Sequence, residues 1–209
     1  MPRGKDLKRR VRARMSRTGE RYTEAREKVR TVSGGAPGGV PGWHLAGDRP
    51  QAYEIGVEPI DDGEGRVAYL RSMADPGQGF GTLMQTMLAV EYRGKRVRLS
   101  AAVRGEAIEA WAGLWVRIDG PGRETLGFDN MQGRPLRGTF DWTTAEVVLD
   151  VPPAAQQIAF GVLLTGSGTV RLRDVKFEAV GTDVPVTHIP VTRTPIARRP
   201  QNLDFSEPA

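Results

Sequence analysis

The sequence contains no cysteine, only two histidines, and no window approaching the roughly 18 consecutive apolar residues of a membrane span. Without thiols there is no disulfide scaffold, no thiolate nucleophile and no thiolate metal site. His44 and His188 lie far apart and neither has neighbouring ligand residues, so packing or surface roles fit them better than a metal centre or a general base. The serines, Ser100 and Ser167 among them, occupy no nucleophile-elbow context, and there is no P-loop or dinucleotide fingerprint. Glu106 and Glu109 are the nearest approach to a carboxylate pair, and their loop spacing gives no glycosidase geometry. The basic N-terminus is followed by no apolar h-region. These absences predict a soluble, cytoplasmic, non-enzymatic protein with no cofactor and no bound metal.

What is present is glycine, proline and an uneven charge. Twenty-six glycines and fifteen prolines in 209 residues, with few helix-favouring apolar runs after residue 40, favour an all-β class. The net charge of +5 divides into +8 over residues 1–30 and −3 over the rest. Basicity confined to one segment is the electrostatic footprint of an anionic partner.

Within that segment, Leu7, Val11 and Met15 form a narrow apolar stripe on a cationic helix, Thr18-Gly19 breaks it, and Thr23 caps a second short helix, TEAREKVRTV. Helices of about ten residues need packing or a partner to be stable. Lys5, Lys8, Arg9, Arg10, Arg12, Arg14 and Arg17 are candidates for phosphate contacts to nucleic acid; a solvated basic tail and a protein-docking arm are the alternatives. The expected organisation is a basic helical arm over 1–32, a Gly/Pro linker over 33–42, a β-sandwich over 43–182 and a Pro-rich extended tail over 183–209 that lies along the sandwich.

Short strand-like segments follow the linker: QAYEIGVE, RVAYLRSM, TLMQTMLAVEY, KRVRLSAAVR, the Trp111 strand, AEVVLDV, QIAFGVLLT and TVRLRDVKFEAV. Their spacing is that of a sandwich. Glu91 to Lys95 and Gly166-Ser167-Gly168 read as hairpin turns.

The richest stretch is 111–151. Ala112, Leu114, Val116 and Ile118 alternate onto a core face, and Trp111, Gly113, Trp115, Arg117 and Asp119 onto the other. Two indoles, a guanidinium and a carboxylate on one face suit a sugar-like ligand, indoles stacking on C–H faces and charged groups taking hydroxyls. The competing reading has the indoles filling core and Arg117 pairing with Asp119 or Asp141. Downstream, a long decorated connection carries Asp129 and Asn130, which offer hard oxygens to a ligand or calcium, or else cap a turn. Gln85 either projects into a ligand cavity or satisfies a buried backbone group.

In order along the chain, GWHLAG, AYEIG, GFGTLMQ, YRGKRVRLSA, WAGLWVRIDG, FDNMQGRPLRGTFDW, VVLDVP, IAFGVLLTGSG and VKFEAV resemble a bacterial accessory domain. That domain occurs beside DNA-binding modules in transcriptional regulators and beside hydrolases such as tail-specific peptidase-like proteins. The resemblance covers about residues 42–182. It implies a non-catalytic jelly roll, similar to galactose-binding and carbohydrate-binding-module domains, with a ligand face. RMSRTGERYTEAR resembles a short motif at the start of small actinobacterial proteins, and no full helix-turn-helix module is recognisable. NLDFSE resembles an opening strand of such sandwiches and is expected to pair into the sheet.

Two functions follow as expectations. One is a regulator-like protein whose sandwich binds a small polar ligand, a sugar among the candidates, at Trp111, Trp115, Arg117, Asp119, Asp129, Asn130 and Gln85, while the arm contacts nucleic acid. The other is a structural or interaction protein that docks on a protein assembly through its arm and tail.

Overall fold

The computed structural model describes residues 39–60, 65–73, 76–77 and 79–187. Nine strands run through them: β1 (His44–Gly47), β2 (Tyr53–Pro59), β3 (Arg66–Ser72), β4 (Phe80–Leu88), β5 (Arg96–Asp119), β6 (Thr125–Asp129), β7 (Leu136–Asp150), β8 (Gln157–Thr165) and β9 (Thr169–Val180). Among the described residues the one helical turn is 3-10, at Pro50–Ala52. The basic arm, His188 and the NLDFSE segment lie outside the described residues.

The strands build two layers because β5 serves both. Its first half, Arg96 to Glu106, pairs antiparallel with β7 on one side and β9 on the other. Its second half, Trp111 to Asp119, pairs with β8 and β6. The first layer is therefore β2-β3-β9-β5-β7 and the second β1-β4-β8-β5-β6. Between the halves the register with β7 slips three times, at Val103/Gly105, Gly105/Ile108 and Ile108/Ala112. Ala107 takes a left-handed φ of 49° there, and Thr139 Oγ1 accepts its N–H at 3.0 Å. These irregularities turn the strand from one layer into the other, which is how a long strand takes a corner.

Alternation fixes the core. Val97, Leu99, Ala101 and Val103 point inward from the first half of β5, and Ala112, Leu114, Val116 and Ile118 from the second. They meet Leu70, Val147, Leu149, Val170 and Leu172 from one layer and Leu83, Ile158, Val162 and Leu164 from the other. At one end Tyr53 reaches across, donating its hydroxyl to the carbonyls of Gly79 (2.9 Å) and Gly166 (3.0 Å). This buried contact ties β2 of the first layer to segments that frame the second.

Three expectations need correction. The Glu91–Lys95 and Gly166–Gly168 segments do not close hairpins: β4 and β8 lie in the second layer, whereas the strands that follow begin in the first. Both are inter-layer corners. The stretch after Asp119 is not one long connection, since it contains β6 and the first half of β7.

Candidate functional site

Trp111, Trp115, Arg117 and Asp119 share the outer face of the second layer, as strand alternation requires. Trp115 is opposite Gly161 in β8, and beyond Gly161 lies Met84 in β4. The indole reaches across β8, and its Nε1 donates to Thr82 Oγ1 at 2.8 Å. That hydroxyl donates in turn to the carbonyl of Val162, also at 2.8 Å. The relay satisfies every polar group in its path and fixes the ring. Trp115 is 7% exposed, packed with Ala159 and Leu163 and flanked by the half-buried Trp111 and Met84.

Arg117 stands next along the same face and is engaged by Asp119. Its Nε donates to Oδ1 at 2.9 Å and its Nη2 to Oδ2 at 2.9 Å, a two-point fork in which the carboxylate is buried and the guanidinium half-exposed. Phe128 of β6, opposite Arg117, is 40% exposed. The outer face thus presents Trp111, Arg117 and Phe128 over a floor of small or locked residues, Ala159, Gly161 and Trp115. Phe128 was visible in the sequence only as an apolar anchor, because β6 is too short to show its alternation.

Asp129 and Asn130 do not join that face. Asp129 is buried and its carboxylate accepts from Met131 N (2.9 Å), Arg134 Nη2 (2.8 Å) and the Thr187 hydroxyl (2.6 Å). Burial pushes its pKa up, and Arg134, Thr187 and the Met131 amide together outweigh this and hold it below the usual carboxylate value. Asn130 Oδ1 accepts from Gln132 N at 3.1 Å. Both act as turn caps. Asp129 is also a hub for the free edge of β7: Thr187 donates its N–H to Val148 O (3.0 Å) and accepts from Val148 N (2.8 Å), while Arg134 Nη2 donates to Glu146 O (3.0 Å). An edge strand covered in this way cannot recruit a foreign strand. Thr187 carried no sequence signal.

Gln85 is on the opposite side of β4, facing between the layers beside Trp43 and Phe160. Among the described residues, no group of three or more His, Asp or Glu side chains is placed to hold a metal ion. Glu106, one of the imagined pair, is taken by Arg171 Nη1 at 2.8 Å. His44 is exposed on β1. Lys5, Lys8, Arg9, Arg10, Arg12, Arg14 and Arg17 lie outside the described residues.

With this geometry in hand, comparison with known proteins is informative at two levels. No family model matches the chain. A Bacillus subtilis (strain 168) protein named as an uncharacterized HTH-type transcriptional regulator, YbfP, is 38% identical over 169 residues, covering 79% of this chain and 57% of that protein. The chain therefore matches less than two thirds of that relative's length. Among solved structures, the CBM22-1 xylan-binding domain of Paenibacillus barcinonensis Xyn10C superposes with a TM-score of 0.51 at 13% identity, over 68% of this chain and 88% of that domain. The enzymatically active domain of bacteriophage CBA120 tailspike protein 4 gives 0.52 at 13% identity, over 70% and 20%. At such identities the likeness is one of fold. The fold is the jelly roll of carbohydrate-binding modules. Among the described residues, no helix is long and apolar enough to cross a membrane.

Proposed function

We propose that this is a non-enzymatic, regulator-like protein whose sandwich binds a small polar, sugar-like ligand on the outer face of the second layer, and whose basic arm contacts nucleic acid. The observation that carries the ligand reading is the continuous row of Trp111, Trp115, Arg117 and Asp119, with Phe128 beside it. In this reading Trp115 is the support and Trp111 the contact. The Thr82 relay fixes the inner indole, Trp111 and Phe128, about 20 Å apart along the face at about 3.3 Å per residue, stack on the C–H faces of separate rings of an oligosaccharide, and Arg117, steered by Asp119, takes a hydroxyl. The fold shared with a xylan-binding domain and the sequence shared with a protein named as a regulator support the two halves of the proposal.

Coupling requires the ligand to prefer one arrangement of arm and sandwich over another. The test is a pair of titrations on the full chain. Oligosaccharides, xylohexaose among them, are expected to shift tryptophan fluorescence, and Trp111→Ala is expected to remove the response while the fold persists. A labelled mixed-sequence duplex is expected to bind with an affinity that falls steeply with salt, and charge reversal of Arg9, Arg10, Arg12 and Arg14 is expected to abolish it. Duplex binding unchanged by charge reversal sinks the arm reading. A glycan panel with no response sinks the ligand reading.

A further inference from the structure

On their inner sides the two layers part to leave a cavity of about 330 Å³, walled by Trp43, Phe160 and Phe177, with Leu83 and Leu172 and a single carboxamide, Gln85. Its rings are mutually braced: Trp43 meets Phe160 edge-on at 5.8 Å, and Phe160 and Phe177 lie 4.8 Å apart at 33°. The opening has a backbone cause. β9 bulges where its pairing with β5 jumps from Arg173 to Lys176, and Asp174 takes a left-handed φ of 54°. The bulge carries Val175 to the cavity wall, where it stays 38% exposed instead of filling the gap.

We infer that this cavity is a second binding site, distinct from the outer face, for an uncharged planar ring bearing one lactam-type amide edge. No lining residue is ionisable, which disfavours a charged ligand. The flat aromatic walls favour a flat partner. The carboxamide of Gln85 is half-buried and makes no hydrogen bond within the described structure, so it offers a donor and an acceptor side by side. A lactam presents the matching pair and closes two hydrogen bonds at once. A polyol of the same size would bury several hydroxyls against hydrocarbon with one amide to serve them, and each unserved hydroxyl weakens binding.

The test is calorimetric titration of the full chain with 2-quinolone, which carries the lactam edge, and with 2-methoxyquinoline, the same bicycle without the N–H donor. 2-Quinolone is expected to bind at least tenfold more tightly than the ether. Gln85→Leu should bring the lactam down to the affinity of the ether without lowering the melting temperature. Val175→Trp, which fills the cavity from its rim, should abolish binding of both, and Trp111→Ala should change neither, separating this site from the outer face. No binding of 2-quinolone, equal affinities for the two bicycles, an unaltered lactam affinity in both Gln85→Leu and Val175→Trp, or displacement of 2-quinolone by xylobiose would each overturn the inference.

Discussion

The outer faces of the two layers are made from the same alternation and differ in how their side chains are satisfied. On the first layer, charges pair laterally: Arg71 with Glu54, Arg98 with Glu178 and Glu146, Arg96 with Asp150, and Arg171 with both Glu58 and Glu106. Arg173 lies over the Trp142 ring at 4.3 Å, so even the tryptophan of that face is covered by a cation. On the second layer the centre holds Thr82, Gly113, Ala159, Gly161, Leu163 and Trp115, and the ion pair on its outer face among the described residues is the Arg117–Asp119 fork. A paired, charged face supplies most of its own partners, the exceptions being Trp142 Nε1 and Arg173 Nε, which are buried without a hydrogen-bond partner among the described residues. On the second layer the floor is buried and the apolar area left open is that of the edge rings, Trp111 and Phe128, and that difference is why the ligand reading rests on the second layer.

The comparison breaks most visibly at the tryptophans. Trp115→Ala removes a 7%-exposed indole and takes from Thr82 Oγ1 its donor, and should cost about 3–4 kcal/mol, whereas Trp142→Ala, beneath a surface arginine, should cost less than about 1 kcal/mol. Urea unfolding of the two variants checks this, and equal losses would erase the distinction between the faces.

Asp129 sharpens the comparison where the edges of the layers meet. Asp129→Ala takes from Arg134 and Thr187 the carboxylate they share, leaving each only backbone carbonyls, and should cost about 2–3 kcal/mol. Its folded pKa is depressed, so the stabilisation is fully present above the unfolded carboxylate value of about 3.9 and is lost as pH falls through the lower folded value. Denaturation midpoints followed from pH 5 to pH 2 should fall more for the wild type than for Asp129→Asn.

How much of this was legible beforehand depended on the range of the interaction. The faces of β5 followed from alternation alone, as did the inward Val97–Val103 series, because each residue's side is set by its neighbours. That β5 is one bent strand shared by two layers was not legible: Gly105 to Ala110 break the pattern locally, and their meaning depends on β7, β8 and β9 arriving from elsewhere. The same holds for the two corners mistaken for hairpins, since a tight turn looks alike whether its strands pair or part. At the site, the shared face of Trp111, Trp115, Arg117 and Asp119 was readable, and the Thr82 partner was not, because it comes from a strand 33 residues away.

Tyr53 extends the comparison to the end where the layers are tied. Tyr53→Phe keeps the buried ring and removes both hydrogen bonds, so about 1 kcal/mol should be lost, from a hydroxyl that acts between layers and not within either. Burial, with the charge of Asp48 adding to it, pushes the phenol up to about 12. Its contribution is therefore intact below the unfolded value of about 10 and is lost as pH rises toward 12, so alkaline titration should erode the wild type more than the phenylalanine variant.

The smallest effect belongs to the ladder itself. Arg98 and Glu178 meet at 2.7 Å with both side chains at least one third exposed, and an exposed pair of this kind contributes little to stability. Glu178→Gln should shift the urea midpoint barely beyond error, and what shift there is should vanish in about 1 M salt, where screening acts over about 3 Å. A loss as large as that of Tyr53→Phe would mean that the first layer's face is a cooperative network with a structural demand of its own, and the contrast with the second layer would have to be redrawn as two kinds of locked surface.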